Sequence, residues 1–459
     1  MKFKLNAFLY TLFFITSLFF TYYIGVAFYD ITTGLDFNKY IKNIYFFNNE
    51  SSIVFDSQGT LYFWSIAKLS GFSKEMYINQ NLNNLINNKL QLVNFIYYFI
   101  GTLGLYRLLK IKKYSYANIM FCLSILNFFP TGFYLRLTMK PEIMAFAFLP
   151  WLIVFIEHYI KNQTNLNTLL LSFFFSIIFT IKASITGMVL LALLLLYKRK
   201  LLVFQNKIQI FSITTFISSL ILYLNFRLTN VWLFSRPKTV DNSLINKWNN
   251  TADLNFFINF DFKNLYQNPF KHVHSDSFLS ITLLDTISDY FTFFWKHEEN
   301  GNFFPFDTIK FTDNFLIQNY LPDYISIVFT STFYALGVIL FIRKVENREY
   351  FLLPFCGLTI LIINSLGFPN KNFDPETGDL FKVHYYSFFV CISLIFLLAF
   401  IYSKTNYIRF TMILLIPVFL ITIGFPKTMT SENLNEVLAK IEHTIICKTV
   451  DNFLIVDCK

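Results

Sequence analysis

Two carboxylates that follow the first apolar stretch have the type and position that acid–base chemistry requires. Asp30 and Asp36 come directly after a run that extends from about residue 8 to residue 28. A carboxylate at this depth is partly desolvated, which raises its basicity, so either acid suits the role of general base toward a hydroxyl group. The alternative is that both are ordinary solvated loop acids.

Basic residues lie at the ends of other apolar runs. Arg136 and Lys140 stand between two runs, Lys182 interrupts a third, and Lys382 precedes a late one. Cations in these positions suit phosphate or diphosphate groups, and Arg makes bidentate contacts with them. Snorkelling of long side chains to a membrane interface is the alternative for Arg136 and Lys140. It explains Lys182 less well, because an ionisable residue inside an apolar run is costly and usually functional.

A third polar segment lies between the apolar runs of the second half. His272, His274 and Asp276 are a weak candidate for a metal site, because imidazole suits zinc but no second cluster accompanies them. Asp285 and Asp289 are four residues apart, so a helix would place both on one face, next to a cation, sugar hydroxyls or solvent. The chain has no Gly-rich phosphate loop and no Gly-x-Ser-x-Gly elbow, which argues against a site for a free nucleotide.

The composition places these residues in a membrane protein. Of the 459 residues, 55% are hydrophobic and only 14% are charged, whereas globular proteins average about 25% charged residues. Repeated apolar runs of about 20 residues predict an all-α polytopic membrane protein. This composition excludes a disordered chain and argues against a soluble enzyme.

The apolar runs predict about eleven membrane crossings. The first run is interpreted as an uncleaved transmembrane helix, because a signal peptide has a shorter apolar core. Lys182 divides the stretch 167–197 into two apolar pieces of about 15 residues, which predicts two short helices. The other spans are predicted at about 91–109, 115–134, 141–160, 208–228, 324–343, 350–367, 384–402 and 408–425.

The distribution of charge predicts the orientation. Basic clusters at 110–113 and 198–200 fall in short loops on the side of the N-terminus, so the positive-inside rule makes that side cytoplasmic. The net charge of +10 is then a topology signal, and it does not indicate nucleic acid. Two large outer loops at about 29–90 and 229–323 follow from this orientation.

The C-terminus is predicted on the outer side, which in bacteria is periplasmic. We expect a transmembrane domain over residues 1–425 and an outer tail over 426–459, containing a helix and a hairpin. Cys447 and Cys458 would lie roughly opposite each other in that hairpin and suit a disulfide on an oxidising face.

Three stretches resemble the GT-C membrane glycosyltransferases, which take sugars from polyprenyl-phosphate carriers. Asp36–Tyr40, with Gln58–Phe63 downstream, is similar to the first-loop pattern of bacterial members. Ser280–Trp295 resembles an acidic and aromatic segment of the long outer loop. Phe381–Tyr386 resembles the basic and aromatic start of a late span, although His384 stands where many members have Arg. The resemblance covers the topology of residues 1–425.

The resemblance implies a GT-C-like fold in the bacterial inner membrane and transfer of a sugar to an outer-face glycolipid, polysaccharide or protein acceptor. Asp36 takes the place of the catalytic acid, with Asp30 as a competitor. The candidates for the carrier phosphate are Lys382, His384, Arg136, Lys140 and Lys182. The candidates for the acceptor or sugar are Asp289, Asp285, Tyr290 and Trp295. Some branches of the family use a divalent metal and others do not, so the cofactor stays open.

Two other classes of protein remain as alternatives. An O-antigen-type polysaccharide polymerase would favour Arg-rich outer loops, whereas these loops are acidic overall. A transporter or flippase would carry ionisable residues within several spans, and only Lys182 clearly meets that description in the sequence.

Overall fold

The computed structural model describes residues 2–28, 44, 60–71, 83–137, 139–198, 207–229, 254–267, 274, 277–286, 314–367, 383–404 and 413–423. Every element of regular structure within these ranges is a helix. The first eight α-helices are α1 (Lys2–Phe28), α2 (Thr60–Ser70), α3 (Asn83–Ile111), α4 (Tyr116–Phe128), α5 (Pro130–Leu137), α6 (Glu142–Lys161), α7 (Asn165–Ile181) and α8 (Ala183–Tyr197).

The remaining α-helices are α9 (Lys207–Thr229), α10 (Leu254–Ile258), α11 (Phe262–Gln267), α12 (Phe278–Asp285), α13 (Asn314–Ile342), α14 (Leu353–Gly367), α15 (Ser387–Lys404) and α16 (Leu415–Ile423). Short 3-10 helices precede α14 and α15, at Arg348–Leu352 and Val383–Tyr386.

The described part of the chain is helical and contains several apolar helices, which is compatible with the all-α membrane protein that the composition predicts. Among the described residues, five helical segments are long and apolar enough to cross a membrane, and the bent pair α4–α5 would make a sixth. The five are Lys89–Ile111, Glu142–Lys161, Lys207–Leu224, Tyr324–Ile342 and Ser387–Lys404. Three further apolar helical segments are shorter, at Ala7–Tyr23, Asn165–Ile181 and Ser184–Tyr197, so the number eleven stays a prediction.

The span predicted over 115–134 contains two helices, α4 and α5, which meet at 66°. Helix α4 ends at Phe128 and α5 begins at Pro130, with Phe129 in an extended conformation between them. Proline lacks an N–H group and disfavours the helical conformation in the residue before it, which explains why the chain turns at this point.

The break predicted at Lys182 is confirmed. Helix α7 has 17 residues and ends at Ile181, α8 has 15 residues and begins at Ala183, and Lys182 between them has an extended backbone with φ −165° and ψ 140°. Its carbonyl accepts a hydrogen bond from the Thr186 N–H, which starts the second helix.

The chain divides into two compact units. The first comprises residues 1–240, 337–361 and 384–411, and the second comprises 241–336, 362–383 and 412–459. Within the first unit, α15 is buried along most of its length and packs against α4, α5 and α6. The predicted domain boundary at residue 425 lies outside the described residues.

Helices α3 and α6 pack closely against each other in the first unit. Gly101 and Gly104 of α3 face Phe146 and Trp151 of α6, and the Trp151 indole N–H donates to the Ile100 carbonyl at 2.9 Å. The two glycines allow the backbones to approach closely, which is a common device of helix packing in membranes. This contact positions α6, which begins at the buried residue Glu142.

Gly101→Ala is expected to destabilise the protein at the α3–α6 contact. The added Cβ would lie 2.5 Å from the Phe146 ring and 2.7 Å from the Phe146 carbonyl oxygen. Overpacking of this kind costs about 1–3 kcal/mol, so the Tm of the detergent-solubilised protein should fall. Gly187→Ala is the matched control, because a Cβ there meets Ile360 at an ordinary 3.5 Å. Equal Tm values for the two variants would contradict a tight contact at Gly101.

Candidate functional site

Three interruptions of helical structure meet in the first unit. They are the start of α6 at Glu142, the break between α7 and α8 at Lys182, and the 3-10 turn before α15 that contains Tyr385. Irregular backbone of this kind is tolerated in a membrane protein where it is buried in protein or lines a cavity. The charged side chains at these interruptions define the candidate site.

Lys182 forms a buried ion pair at this point. Its Nζ donates to Oε1 of Glu142 at 2.9 Å and lies 4.4 Å from the centre of the Tyr385 ring. The side chains of Lys182 and Glu142 are only 11% and 2% exposed. Removing both charges from water is costly, and the pair together with the cation–π contact offsets that cost.

Glu142 is a residue that the sequence interpretation missed. Its second carboxylate oxygen, Oε2, is buried and has no hydrogen-bond partner among the residues that the structure describes. An unpaired buried polar group costs about 1–3 kcal/mol, and a charged group costs more. The available signal was an acidic residue at the first position of an apolar span, directly after Lys140-Pro141.

Arg136 is a buried cation near the end of α5. The guanidinium donates to the hydroxyl of Thr21 at 2.5 Å and also to the Thr21 carbonyl, and it lies 4.8 Å from the centre of the Phe133 ring. No carboxylate pairs with it within the described part of the chain. Lys140 is buried as well, at 5% exposure. Their burial within the protein argues against simple snorkelling.

A network of neutral polar groups holds the segment that carries these cations. Tyr62 donates to Asn94 Oδ1 at 2.9 Å, and Asn94 Nδ2 donates to the Arg136 carbonyl at 3.0 Å. Gln91 Nε2 donates to the Leu137 carbonyl at 3.0 Å. These bonds satisfy carbonyls that the end of α5 leaves without helical partners. Burial raises the pKa of Tyr62 well above its usual value, so its hydroxyl stays protonated as the donor.

A second polar cluster lies at the other end of α6. Glu157 accepts hydrogen bonds from Lys112 Nζ at 2.7 Å and from the Tyr197 hydroxyl at 3.0 Å. Two hydrogen bonds join residues that are 40 positions apart in sequence: Lys182, just before α8, donates to Glu142, and Tyr197, at the end of α8, donates to Glu157. The two helices therefore run parallel and are tied at both ends, about 22 Å apart by helical rise.

Other predicted site residues lie in the second unit. Asp285 is the last residue of α12 and is 1% exposed, so solvent does not surround it. His274 is also buried. Among the described residues there is no group of three His, Cys, Asp or Glu side chains that could hold a metal ion.

The remaining predictions concern residues whose side chains the structure does not describe. His384 lies in the 3-10 turn before α15, beside Tyr385. The residues that lie outside the described ranges are Asp30, Asp36, Lys382, Asp289, Tyr290, Trp295, His272, Asp276, Cys447 and Cys458.

Lys182→Met is expected to lower the free energy of unfolding by about 3–5 kcal/mol, because it leaves a buried carboxylate without its counter-ion. The double variant Lys182→Met/Glu142→Gln should recover most of that loss, and thermal unfolding in detergent measures both. Glu349→Gln is the control, because its pair with Arg348 is about one-third exposed and is worth no more than about 1 kcal/mol. A Lys182→Met variant as stable as this control would contradict the buried pair.

Comparisons with protein-family models, with curated proteins and with solved structures found no match. The candidate site is therefore defined by the side chains and contacts of the described residues. They are the Glu142–Lys182 ion pair with an unpartnered carboxylate oxygen, the buried Arg136 guanidinium without a carboxylate partner, and the polar network that holds the end of α5.

Proposed function

We propose that the protein is a GT-C-like glycosyltransferase that moves a sugar from a polyprenyl-phosphate carrier to an acceptor at the outer face of the bacterial inner membrane. The acceptor is a glycolipid, a polysaccharide or a protein. The observation that carries the proposal is the buried guanidinium of Arg136, which has no carboxylate partner in the described part of the chain. The proposal includes the predicted orientation, with a cytoplasmic N-terminus, a periplasmic C-terminus and about eleven crossings.

An anionic ligand would complete the surroundings of Arg136. A buried cation without a counter-ion is costly, and phosphate oxygens accept charge-assisted hydrogen bonds from guanidinium. Thr21 holds the guanidinium in place through its hydroxyl and carbonyl, so little ordering is required when the ligand arrives. Negative charge grows on the carrier phosphate as it leaves the sugar, and a fixed cation in a low-dielectric site stabilises that charge. The other cations proposed to bind the carrier phosphate are Lys140, Lys382 and His384.

The transfer itself needs a base on the acceptor side. In the proposed reaction the acceptor oxygen attacks the anomeric carbon with inversion, its proton passes to Asp36, and the carbon–oxygen bond to the carrier phosphate breaks. Asp30 is the competitor of Asp36 for this role. Asp289, with Asp285, Tyr290 and Trp295, would bind the acceptor or the sugar. The role of Asp36 is supported by its position after the first span and by the resemblance of Asp36–Tyr40.

A transporter or flippase is the second candidate, and the broken helices favour it. Transporters bind substrates where interrupted helices meet, next to buried ionisable residues. The bend at Pro130 and the break at Lys182 both fit that description. The two functions differ in their product, because only a transferase forms a new glycosidic bond.

Asp36→Asn is expected to reduce the sugar modification by about 100-fold or more, because the amide cannot accept the acceptor's proton. The measurement is the mass-spectrometric profile of glycolipids and glycoproteins in host cells that carry the variant in place of the original chain. Asp30→Asn at the same protein level is the matched control and identifies which acid is the base.

An unchanged glycan profile in both variants, with normal protein levels, would refute the transferase. The transporter reading makes a different prediction: the purified protein in detergent would form no glycosidic bond with extracted host lipids, whereas a transferase would.

Arg136→Gln is expected to weaken binding of a polyprenyl phosphate by about tenfold or more, the value of a charged hydrogen bond. The probe is undecaprenyl phosphate, compared with the neutral undecaprenol, on purified protein in nanodiscs. Arg227→Gln is the control, because Arg227 is an exposed cation near the end of α9. Equal affinity of the Arg136 variant and the control for the phosphate would show that Arg136 does not bind it.

A further inference from the structure

The two carboxylates of α6, Glu142 and Glu157, differ in how completely their oxygens are hydrogen-bonded. Glu157 accepts from an ammonium and from a tyrosine hydroxyl, which is the arrangement of a buried acid in a structural role. Glu142 accepts from Lys182 alone, and its Oε2 has no partner among the described residues. A pair that served only stability would be expected to satisfy its remaining lone pairs, because an unpaired charged oxygen is expensive. The unpartnered oxygen therefore makes Glu142, at the start of α6, the better candidate for a ligand-binding residue.

The ammonium of Lys182 also has hydrogen-bond donors without a partner among the described residues. An ammonium has three N–H donors, and among the residues that the structure describes Lys182 makes one hydrogen bond, to Glu142, and one cation–π contact, with Tyr385. The pair thus presents an open acceptor on Glu142 and an open donor on Lys182 side by side. Tyr385 borders them with an aromatic ring.

The charges decide which ligand suits this arrangement. The ion pair is neutral overall, so a phosphate would meet repulsion from Glu142 and a metal ion would meet repulsion from Lys182. A neutral group that both donates and accepts hydrogen bonds meets neither obstacle. Neighbouring hydroxyls of a sugar ring have that chemistry, because one hydroxyl donates to a carboxylate while the next accepts from an ammonium.

We propose that Glu142, Lys182 and Tyr385 form a subsite that binds two neighbouring hydroxyls of the transferred sugar. Glu142 Oε2 accepts from one hydroxyl and Lys182 Nζ donates to the other, while the Tyr385 ring lies against the sugar. This inference rests on the proposed transferase function and moves Lys182 from the phosphate to the sugar. The phosphate is left to the other cations proposed for it, above all to Arg136, whose charge no carboxylate neutralises in the described part of the chain.

A charge exchange separates a binding role from a structural one. In Glu142→Lys/Lys182→Glu the ion pair is kept, so the protein should fold with a Tm close to that of the original chain. The longer lysine chain now extends from position 142 and the shorter glutamate chain from position 182, so neither charged group lies where the sugar hydroxyls met it, and glycan product per folded protein in host cells should fall by tenfold or more. Glu142→Gln serves as the second variant if the exchanged protein does not fold, because the amide oxygen still accepts from Lys182 but the charge-assisted bond from the sugar hydroxyl to Oε2 is lost.

Glu157→Gln is the matched control at the opposite end of the same helix. It should lower the Tm, because it weakens the bonds from Lys112 and Tyr197, yet leave product per folded protein unchanged. The subsite is overturned if the exchanged variant, or Glu142→Gln in its place, makes product at the original level while Asp36→Asn or Asp30→Asn loses it. If both aspartate variants also keep their product, the transferase function fails instead, so the two failures are distinguishable.

Discussion

Burying a charged side chain costs free energy unless a partner offsets it, and this constraint determines how several helices of the first unit meet. Lys182 interrupts an apolar stretch, so its ammonium has to find a partner inside the fold, and it does so at Glu142 and at the Tyr385 ring. This one interaction connects the start of α6, the break between α7 and α8, and the turn before α15. Three segments that are distant in sequence are thereby held at one place.

The same helix α6 carries a second charge pair at its far end, which gives the arrangement a fixed register. Glu157 accepts from Lys112 and Tyr197, and this contact lies 15 residues along α6 from the contact of Glu142 with Lys182. Close contact at Gly101 and Gly104 adds α3 to this frame. Packed helices of this kind can hold Glu142 Oε2 and the Arg136 guanidinium in position, and binding of a polar ligand needs such fixed groups.

Some features of this architecture could be predicted from single residues. Apolar runs identify helices because their length and composition match a bilayer, and a lysine in the middle of such a run identifies a break. The bend at Pro130 could also have been predicted locally, because proline restricts the residue before it. The apolar pattern continues through Pro130, however, and by itself it predicts a single span. Glu142 was missed because an acid at the first turn of a helix is common and carries no sign of its later burial.

The sequence by itself determined the helical class, the membrane setting, the interruption at Lys182 and the concentration of basic residues near the ends of spans. Each of these follows from local composition. Only the tertiary structure decided that Lys182 pairs with Glu142, that Arg136 contacts Thr21 and Phe133 with no carboxylate partner among the described residues, and that Asp285 is buried. The reason is that a charge's partner depends on which helices pack together, and residues that are 40 or 115 positions apart meet only when that packing is complete.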